Sequence, residues 1–497
     1  MKMSKFALTA MIACACCAGT AFGQSNRTAP RYYPASYYSY YQDGATTQAP
    51  APIAPAPIAK AVNAAASASC DKSPACDVAD ICNGKGSSCD SLGNGTCGKG
   101  ACDGGCGGSA CGGSACGGSA CGSGACGSGC GSGGLLGLGL LGGGCKIGDP
   151  WKLAPNGIGG FKFGGWTSVG YHSKANPNSF NTYPRRVQLG QQWFWAEKVA
   201  DGSEGLGFGA RADYIYGTDG PDTQAFGIAN NHWDNTWDNG SDGAGNSNLG
   251  YGHAMPQLYG EAAMGDLSVK VGHFFTICGN EVVQATGNFF YSRQFTFYNA
   301  EPFTHTGALS TYNLDADTQL YNGYVMGWDS GFDDNGDSYL GGFRKKLNDT
   351  FTFFYSTCLG RFNKTSGENG GLQNVILTAS LTEKLTYISQ TDVLYTHNNS
   401  GTTQRNTFGN INYLIYKVND CVSVGQRFEW FNFGGAGFNN VKNDDNFNYT
   451  TGINYRRNAN LTLRPEVRWV WDRQRFGFNE NNASQQVAAG GDILFTF

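Results

Sequence analysis

Residues 461–473 read LTLRPEVRWVWDR and alternate in polarity with a period of two. One alternate set is apolar and ends in two tryptophans, whereas the other set contains Arg464, Glu466 and Arg468. A β-strand sends alternate side chains to opposite faces, so this stretch predicts a strand with one apolar and one charged face. The apolar face could cover a soluble core or contact lipid.

The last residues of the chain favour the second alternative. Residues 487–497, VAAGGDILFTF, also alternate, and the chain ends on a phenylalanine, which is typical of outer-membrane barrels. A strand of about ten residues fits a tilted crossing of the bilayer. Similar segments recur from residue 158 onward, so the sequence predicts an all-β fold: a transmembrane antiparallel β-barrel of about sixteen strands, within a range of 14–18.

The connections between these segments support a membrane barrel. Short, turn-like connections such as Gly265-Asp266, Asn348-Asp349 and Asn419-Asp420 are expected to alternate with long ones. Membrane barrels have short periplasmic turns and long external loops, whereas a soluble β-sandwich does not sort its loops in this way. An even strand number places both ends of the barrel in the periplasm.

Composition excludes several classes of protein. Charged residues make up 14% of the 497 residues, against about 25% in soluble proteins. The mean hydropathy is −0.33, and beyond the N-terminus there is no apolar run long enough for a transmembrane helix. The net charge of −4 argues against a nucleic-acid partner. The partners that this composition indicates are outer-membrane lipid and small hydrophilic solutes.

The N-terminal part of the chain divides into three segments. Residues 1–23 have the basic start, short apolar run and small-residue cleavage site of a signal peptide, with a lipoprotein signal at Cys14 or Cys16 as the alternative. Residues 24–69 form a Tyr/Pro/Ala-rich linker, expected to be disordered and to act as a spacer or to contact the cell wall. The barrel is expected over residues 149–497.

Residues 70–148 form a Cys/Gly-rich, low-complexity arm that cannot build a core, and it is also expected to be disordered. At this density, cysteines in an oxidising compartment should form disulfides, and an odd number leaves at least one for another chain or as a free thiol. Zinc is the alternative, but the segment has no histidine and no paired CxxC spacing. The disulfide candidates are Cys70, Cys76, Cys82, Cys89, Cys97, Cys102, Cys106, Cys111, Cys116, Cys121, Cys126, Cys130 and Cys145.

Charged residues of the barrel segments share one phase of the alternation, and we assign that phase to the lumen. Charges that face lipid cost about 2–4 kcal/mol for Arg or Lys at the midplane, whereas charges in a water-filled pore cost little. The candidate pore-lining residues are Arg211, Asp213, Glu261, Lys270, Arg427, Glu429, Arg464, Glu466 and Arg468.

Residues 277–305 form an unusually long and aromatic connection. Loops longer than about 15 residues tend to be functional, and a long loop after an early strand can fold into a pore. Glu281, Arg293 and Glu301 would then form a constriction. The alternative is an external loop that packs on its own aromatic side chains.

No motif indicates catalysis, a cofactor or a metal. Asp333, Asn335 and Asp337 have the spacing of a calcium loop, but Ser338 occupies the position of the expected glycine, and polar external loops have a similar composition. The sequence lacks a nucleophile elbow, an HExxH motif and a phosphate loop. We therefore expect no enzyme activity.

Five stretches resemble the beta-barrel porin-2 (OmpL-like) family. They are GGWTSVGYHS at Gly164, QQWFWAEKVADGSEGLGFGARADYIYGTDGPDTQAFG at Gln191, MPQLYGE at Met255, DLSVKVGHFFT at Asp266 and FFYSRQFTFYNAEPFTHTGAL at Phe289. The similarity weakens after about Phe362 and does not include the segments before Trp151. The resemblance implies a barrel of the bacterial outer membrane that acts as a porin, and it supplies no substrate and no catalytic residues.

The expected function is a passive outer-membrane channel for small hydrophilic solutes or ions, with the N-terminal arm in the periplasm. A homo-oligomer, such as a trimer, is compatible with it. The alternative is a structural protein of the outer membrane or cell wall that is cross-linked to its neighbours by disulfides of the arm.

Overall fold

The computed structural model describes residues 146–180, 182–229, 231–237 and 250–497. Within these ranges, sixteen strands form one closed antiparallel barrel in which neighbours in sequence pair and β1 pairs with β16. The predicted all-β barrel of about sixteen strands is confirmed. The strands are β1 (Lys162–His172), β2 (Gln188–Lys198), β3 (Gly207–Gly217), β4 (Gly252–Met264), β5 (Leu267–Phe275), β6 (Thr304–Asp315), β7 (Thr318–Val325), β8 (Asp337–Lys346), β9 (Phe351–Asn363), β10 (Glu368–Ser380), β11 (Leu385–His397), β12 (Thr403–Lys417), β13 (Val422–Gly435), β14 (Val441–Arg456), β15 (Leu461–Asp472) and β16 (Gln485–Thr496).

The predictions about the signal peptide, the linker and the thirteen cysteines of the arm fall on residues 1–145, outside the described ranges. They remain predictions. In the described part of the chain, no helix combines the length and the hydropathy that a membrane-spanning helix needs.

The alternation of residues 461–473 corresponds to the two faces of the barrel wall. Val467 lies directly opposite Thr451 on β14 and Ala489 on β16, and this row faces outward. The next residue, Arg468, is buried on the inward face opposite Thr450. In β15 the charged side chains therefore lie inside the wall, and Trp469 and Trp471 lie outside.

The two ends of the barrel differ in their connections. At one end, here called the turn end, connections such as Gly265-Asp266 span two to eight residues, and Gly265 adopts the positive φ of 57° that a tight turn requires. At the other end, the loop end, five connections are long as predicted: residues 173–187, 218–251, 276–303, 326–336 and 473–484.

The prediction that long and short connections alternate is wrong between β9 and β14. At the loop end, residues 364–367, 398–402 and 436–440 form short connections. The strands themselves account for the difference: β9 to β14 have 13 to 16 residues, whereas β5 has 9 and β7 has 8. At about 3.4 Å per residue, the wall is taller on that side, so the chain reaches the rim within the sheet.

Aromatic side chains mark both rims of the outer wall. Trp430 and Phe447 stack near the loop end, and Phe495 packs near the turn end against Trp151, which precedes β1. The backbone of Trp151 also bonds to the Asn460 side chain in the turn between β14 and β15. This arrangement is typical of the aromatic girdles of membrane barrels.

Candidate functional site: the lumen and its inserted loop

The connection between β5 and β6, residues 276–303, lies inside the barrel and is called the inserted loop here. The side chains of Glu281, Arg293 and Glu301 are buried, and a short helix, α1 (Phe295–Ala300), is buried along its whole length. Its contacts with inward side chains of β11, β13 and β15 contradict the alternative of an external loop. The inward fold was predicted, although His305 belongs to β6 rather than to the loop.

An ion pair between Glu281 and Arg427 attaches the first half of the inserted loop to the wall. Arg427 also donates to the Ser292 carbonyl at 2.9 Å and to Thr450 Oγ1 at 3.1 Å. The Tyr413 hydroxyl donates to Glu281 at 3.0 Å. Both charged side chains are almost fully buried, so each one compensates the desolvation of the other, and the removal of one would leave an uncompensated charge.

Glu429 on β13 holds the start of α1. Its carboxylate accepts hydrogen bonds from the backbone N–H groups of Phe295 at 2.9 Å and Thr296 at 2.6 Å, and from Thr296 Oγ1 at 2.7 Å. Free N–H groups at a helix start favour a negative acceptor. Gly409 on β12 permits this approach, because a Cβ there would collide with the Thr296 side chain.

A third attachment involves β15 and β16. Arg464 makes a bidentate ion pair with Asp492 at 2.8 and 2.7 Å, and its remaining nitrogen donates to the loop carbonyls of Ala285 and Asn288. Glu466 accepts from the backbone N–H of Tyr291 at 2.8 Å. The charged face predicted from residues 461–473 thus contacts the inserted loop directly.

Arg468 differs from the other arginines of this face. Its guanidinium lies 4.3 Å from the centre of the Phe295 ring, in a cation–π geometry. Within the described part of the chain, none of its three guanidinium nitrogens has a hydrogen-bond partner, although the side chain is buried. Its position is therefore held by stacking on α1 and not by a directed ion pair.

A second group of candidate residues lies on β3 to β5, apart from these attachments. Arg211 pairs with Asp213 at 2.6 Å and with Glu197 at 3.0 Å. Lys270 lies 4.9 Å from the Tyr259 ring and opposite Glu261 in register. These charges neutralise each other across neighbouring strands and leave no large field of one sign.

The other two candidate constriction residues bond neutral groups, Arg293 within the loop and Glu301 on the wall. Arg293 donates to the backbone carbonyls of Val282, Val283 and Tyr291 within the loop itself. Glu301 accepts from the side-chain amide of Gln390 on β11. Glu281, in contrast, contacts the charged side chain of Arg427, as a buried carboxylate needs a direct partner.

A comparison with protein families identifies the barrel. The sequence profile of the family described as "Putative beta-barrel porin-2, OmpL-like" matches residues 160–497. The chain belongs to this family. Its relatives are porin-like barrels, and the family places this OmpL-like barrel in the bacterial outer membrane.

Solved structures match about two thirds of this chain at low sequence identity. OmpT of Vibrio cholerae, in its in-vitro folded trimer form, has 8% identity and a TM-score of 0.47, and the match covers 68% of this chain and 99% of that one. A double mutant of Rh. blastica porin has 14% identity and a TM-score of 0.44, with coverage of 68% and 100%. No match was found in the comparison with curated proteins.

Sequence reasoning missed several residues of this OmpL-like barrel that bond the inserted loop or position the side chains that bond it. Asp492 is the one charge within β16, and its inward phase could have identified it as the partner of Arg464. Gln390 and Gln191 are neutral amides that bond the loop backbone at Asn280 and Ala285. No sequence signal separates such amides from others on the same strands.

In the described loops at the loop end, the acidic side chains have different partners. Asp337 pairs with Arg361, and Asp333 lies 3.3 Å from His232, so the residues with calcium-loop spacing have different partners. Asp234 accepts hydrogen bonds from the backbone N–H groups of Ala225 and Met255, both at 2.9 Å. Burial raises the pKa of Asp234 to about 6.

Proposed function

We propose that this OmpL-like barrel is a porin through which small hydrophilic solutes or ions diffuse passively, with the inserted loop as its constriction. The observation that carries the proposal is the polarity of the wall: charged and amide side chains line the inner face along with the loop, while apolar side chains face outward at Val467 and Trp469. A scaffold with a dry interior would not need a charged inner face, whereas charges that face a water-filled pore cost little. In this proposal the protein is not an enzyme and binds no cofactor.

The charges predict the selectivity of the channel. Arg211, Arg427 and Arg464 each have an acidic partner on the wall or the loop, whereas Arg468 has no such directed pair. Paired charges of both signs produce little net field in the lumen, so ion selectivity should be weak. Arg468 would supply a small preference for anions near α1.

The test is reconstitution of the full-length protein in planar bilayers and vesicles. Discrete conductance steps, a small reversal potential in a salt gradient and swelling of vesicles in small sugars are the predicted results. A folded protein that conducts no ions and admits no sugar would contradict the proposal.

A structural role is the second candidate, because one observation favours it. The inserted loop is buried along nearly its whole length and crosses from β2 to β13, which suits a closed barrel that serves as a scaffold. In that case the cysteine-rich arm, which we place in the periplasm, would cross-link neighbouring chains or the cell wall. Absence of conductance together with disulfide-linked multimers would favour this role over the channel.

A further inference from the structure

We propose that Cys421, in the turn between β12 and β13, forms a disulfide with Cys145 and so anchors the last cysteine of the arm at the turn end of the barrel. Cys421 is disulfide-bonded and buried, whereas Cys278 and Cys358, the other two cysteines in the described ranges, are free thiols. The cysteine that completes this bond therefore belongs to residues 1–145. The bond involves neither the lumen nor the proposed passage of solutes.

The turn that carries Cys421 has a defined conformation. The Asn419 side chain accepts hydrogen bonds from the backbone N–H groups of Cys421 and Val422, both at 2.9 Å, as asparagine often does in turns. The Cys421 carbonyl accepts a hydrogen bond from the backbone N–H of Arg456 at 2.7 Å, and Arg456 is the last residue of β14. Cys421 therefore borders the turn that joins β14 to β15.

The residues that follow Cys145 lie along this same turn between β14 and β15. The Ile147 carbonyl accepts a hydrogen bond from the backbone N–H of Ala459 at 3.0 Å. Farther along the chain, the backbone of Trp151 exchanges two hydrogen bonds with the Asn460 side chain, at 2.8 and 2.7 Å. These contacts bring the start of the described chain to the turn that the disulfide-bonded cysteine borders.

Cys145 is nearer to this turn along the chain than any other cysteine of the arm. It precedes Ile147 by two residues, so the two Cα atoms are at most about 7 Å apart. Disulfides join residues whose Cα atoms are about 4.4–6.8 Å apart, and this short link permits such a separation. Cys130, the next cysteine, precedes Ile147 by seventeen residues. Because effective concentration falls roughly as the −3/2 power of linker length, Cys145 has an advantage of about 25-fold.

The number of cysteines in the arm supports the same pairing. Residues 70–145 contain thirteen cysteines, an odd number that leaves one without a partner inside the arm. When Cys145 bonds to Cys421, the twelve cysteines from Cys70 to Cys130 remain, and all of them can pair with each other. The odd cysteine is thus used within its own chain.

Formation of this bond requires an oxidant. The two thiols lose two protons and two electrons as their Sγ atoms join. The oxidant is a disulfide of a thiol oxidoreductase or of a small thiol, which takes up the electrons and protons by exchange and becomes two thiols. Such oxidants act outside the cytoplasm, in the compartment that the predicted signal peptide indicates.

Disulfide mapping of the protein, purified from membranes without reductant, tests the pairing. Free thiols are blocked with iodoacetamide in denaturant, and trypsin and chymotrypsin then digest the chain. Cleavage after Leu141 and Lys146 gives GGGCK, and cleavage after Lys417 and Arg427 gives VNDCVSVGQR, so each peptide contains one cysteine. The two peptides should appear as one linked species that separates on reduction.

Variants test whether the bond anchors the chain next to the barrel. In the folded protein, Cys421→Ser should accelerate tryptic cleavage after Lys146 severalfold, and Cys145→Ser should have the same effect. The matched control is Cys358→Ser, which removes a buried free thiol and should change neither the linked species nor the cleavage rate.

The mapping overturns the proposal if Cys421 carries the blocking group, or if it is linked to a different cysteine of the arm or to a second copy of the chain. Equal cleavage after Lys146 in wild type and Cys421→Ser would overturn the anchoring role. Conductance enters neither readout, so a failed disulfide and a failed channel are distinguishable.

Discussion

A charge on the outer face of β15 should destabilise the barrel, whereas loss of a charge from its inner face should not. Val467 is the seventh of the twelve residues of β15 and faces outward, so Val467→Arg places a guanidinium near the bilayer midplane. The cost there is about 2–4 kcal/mol. Because 1.4 kcal/mol corresponds to a factor of ten, the unfolding equilibrium should shift roughly 30-fold to 700-fold.

The paired change is Arg468→Val on the neighbouring residue. The Arg468 guanidinium has no hydrogen-bond partner within the described chain, so its removal leaves no buried group unsatisfied. Its loss should change the free energy of unfolding by less than about 1 kcal/mol. It should also reduce any preference of the channel for anions.

Urea titration of the protein in vesicles, followed by tryptophan fluorescence and by gel mobility, measures both effects. Val467→Leu serves as the control, because it changes size on the same face without adding a charge. The assignment of the two faces would be refuted if Val467→Arg were as stable as this control. Equal losses in Val467→Arg and Arg468→Val would refute it too.

Three further predictions concern the loop, the rim and the arm. Glu281→Gln should leave the Arg427 guanidinium without a charged partner, weaken the inserted loop by up to about 3 kcal/mol and raise hydrogen exchange in residues 281–296, while the strands keep their protection. Burial raises the pKa of Asp234 to about 6, so the order of residues 231–237 should be greatest below pH 4 and should decline as the pH rises through 6. Limited proteolysis should show this decline in wild type and not in Asp234→Asn. If residues 70–145 cross-link chains, non-reducing gels should show high-mass species that collapse with reductant, and a monomer under both conditions would exclude cross-linking.

The strands could be predicted from the sequence because the lipid and the lumen impose a period of two on every strand. Prediction was weakest where that contrast ends. The alternation in the sequence begins near residue 447, whereas β14 begins at Val441, within a polar stretch. Backbone hydrogen bonds need no apolar side chain, so strand ends beyond the membrane leave no alternation to detect.

The contacts of the lumen could be predicted only in part. The inward phase of Arg427 and the length of the inserted loop were visible in the sequence. The pairing of Arg427 with Glu281 joins residues 146 positions apart, and no spacing rule relates them.

The role of the inserted loop is the central claim, and single-channel conductance tests it most directly. The measurement compares wild type with a deletion of residues 284–297, which removes the contacts of Arg464 with Ala285 and of Glu429 with Phe295. Both proteins should form channels, and the deletion should raise the conductance severalfold while gel mobility shows a folded barrel. Equal conductance in the two folded proteins, or no conductance in either, would contradict the account.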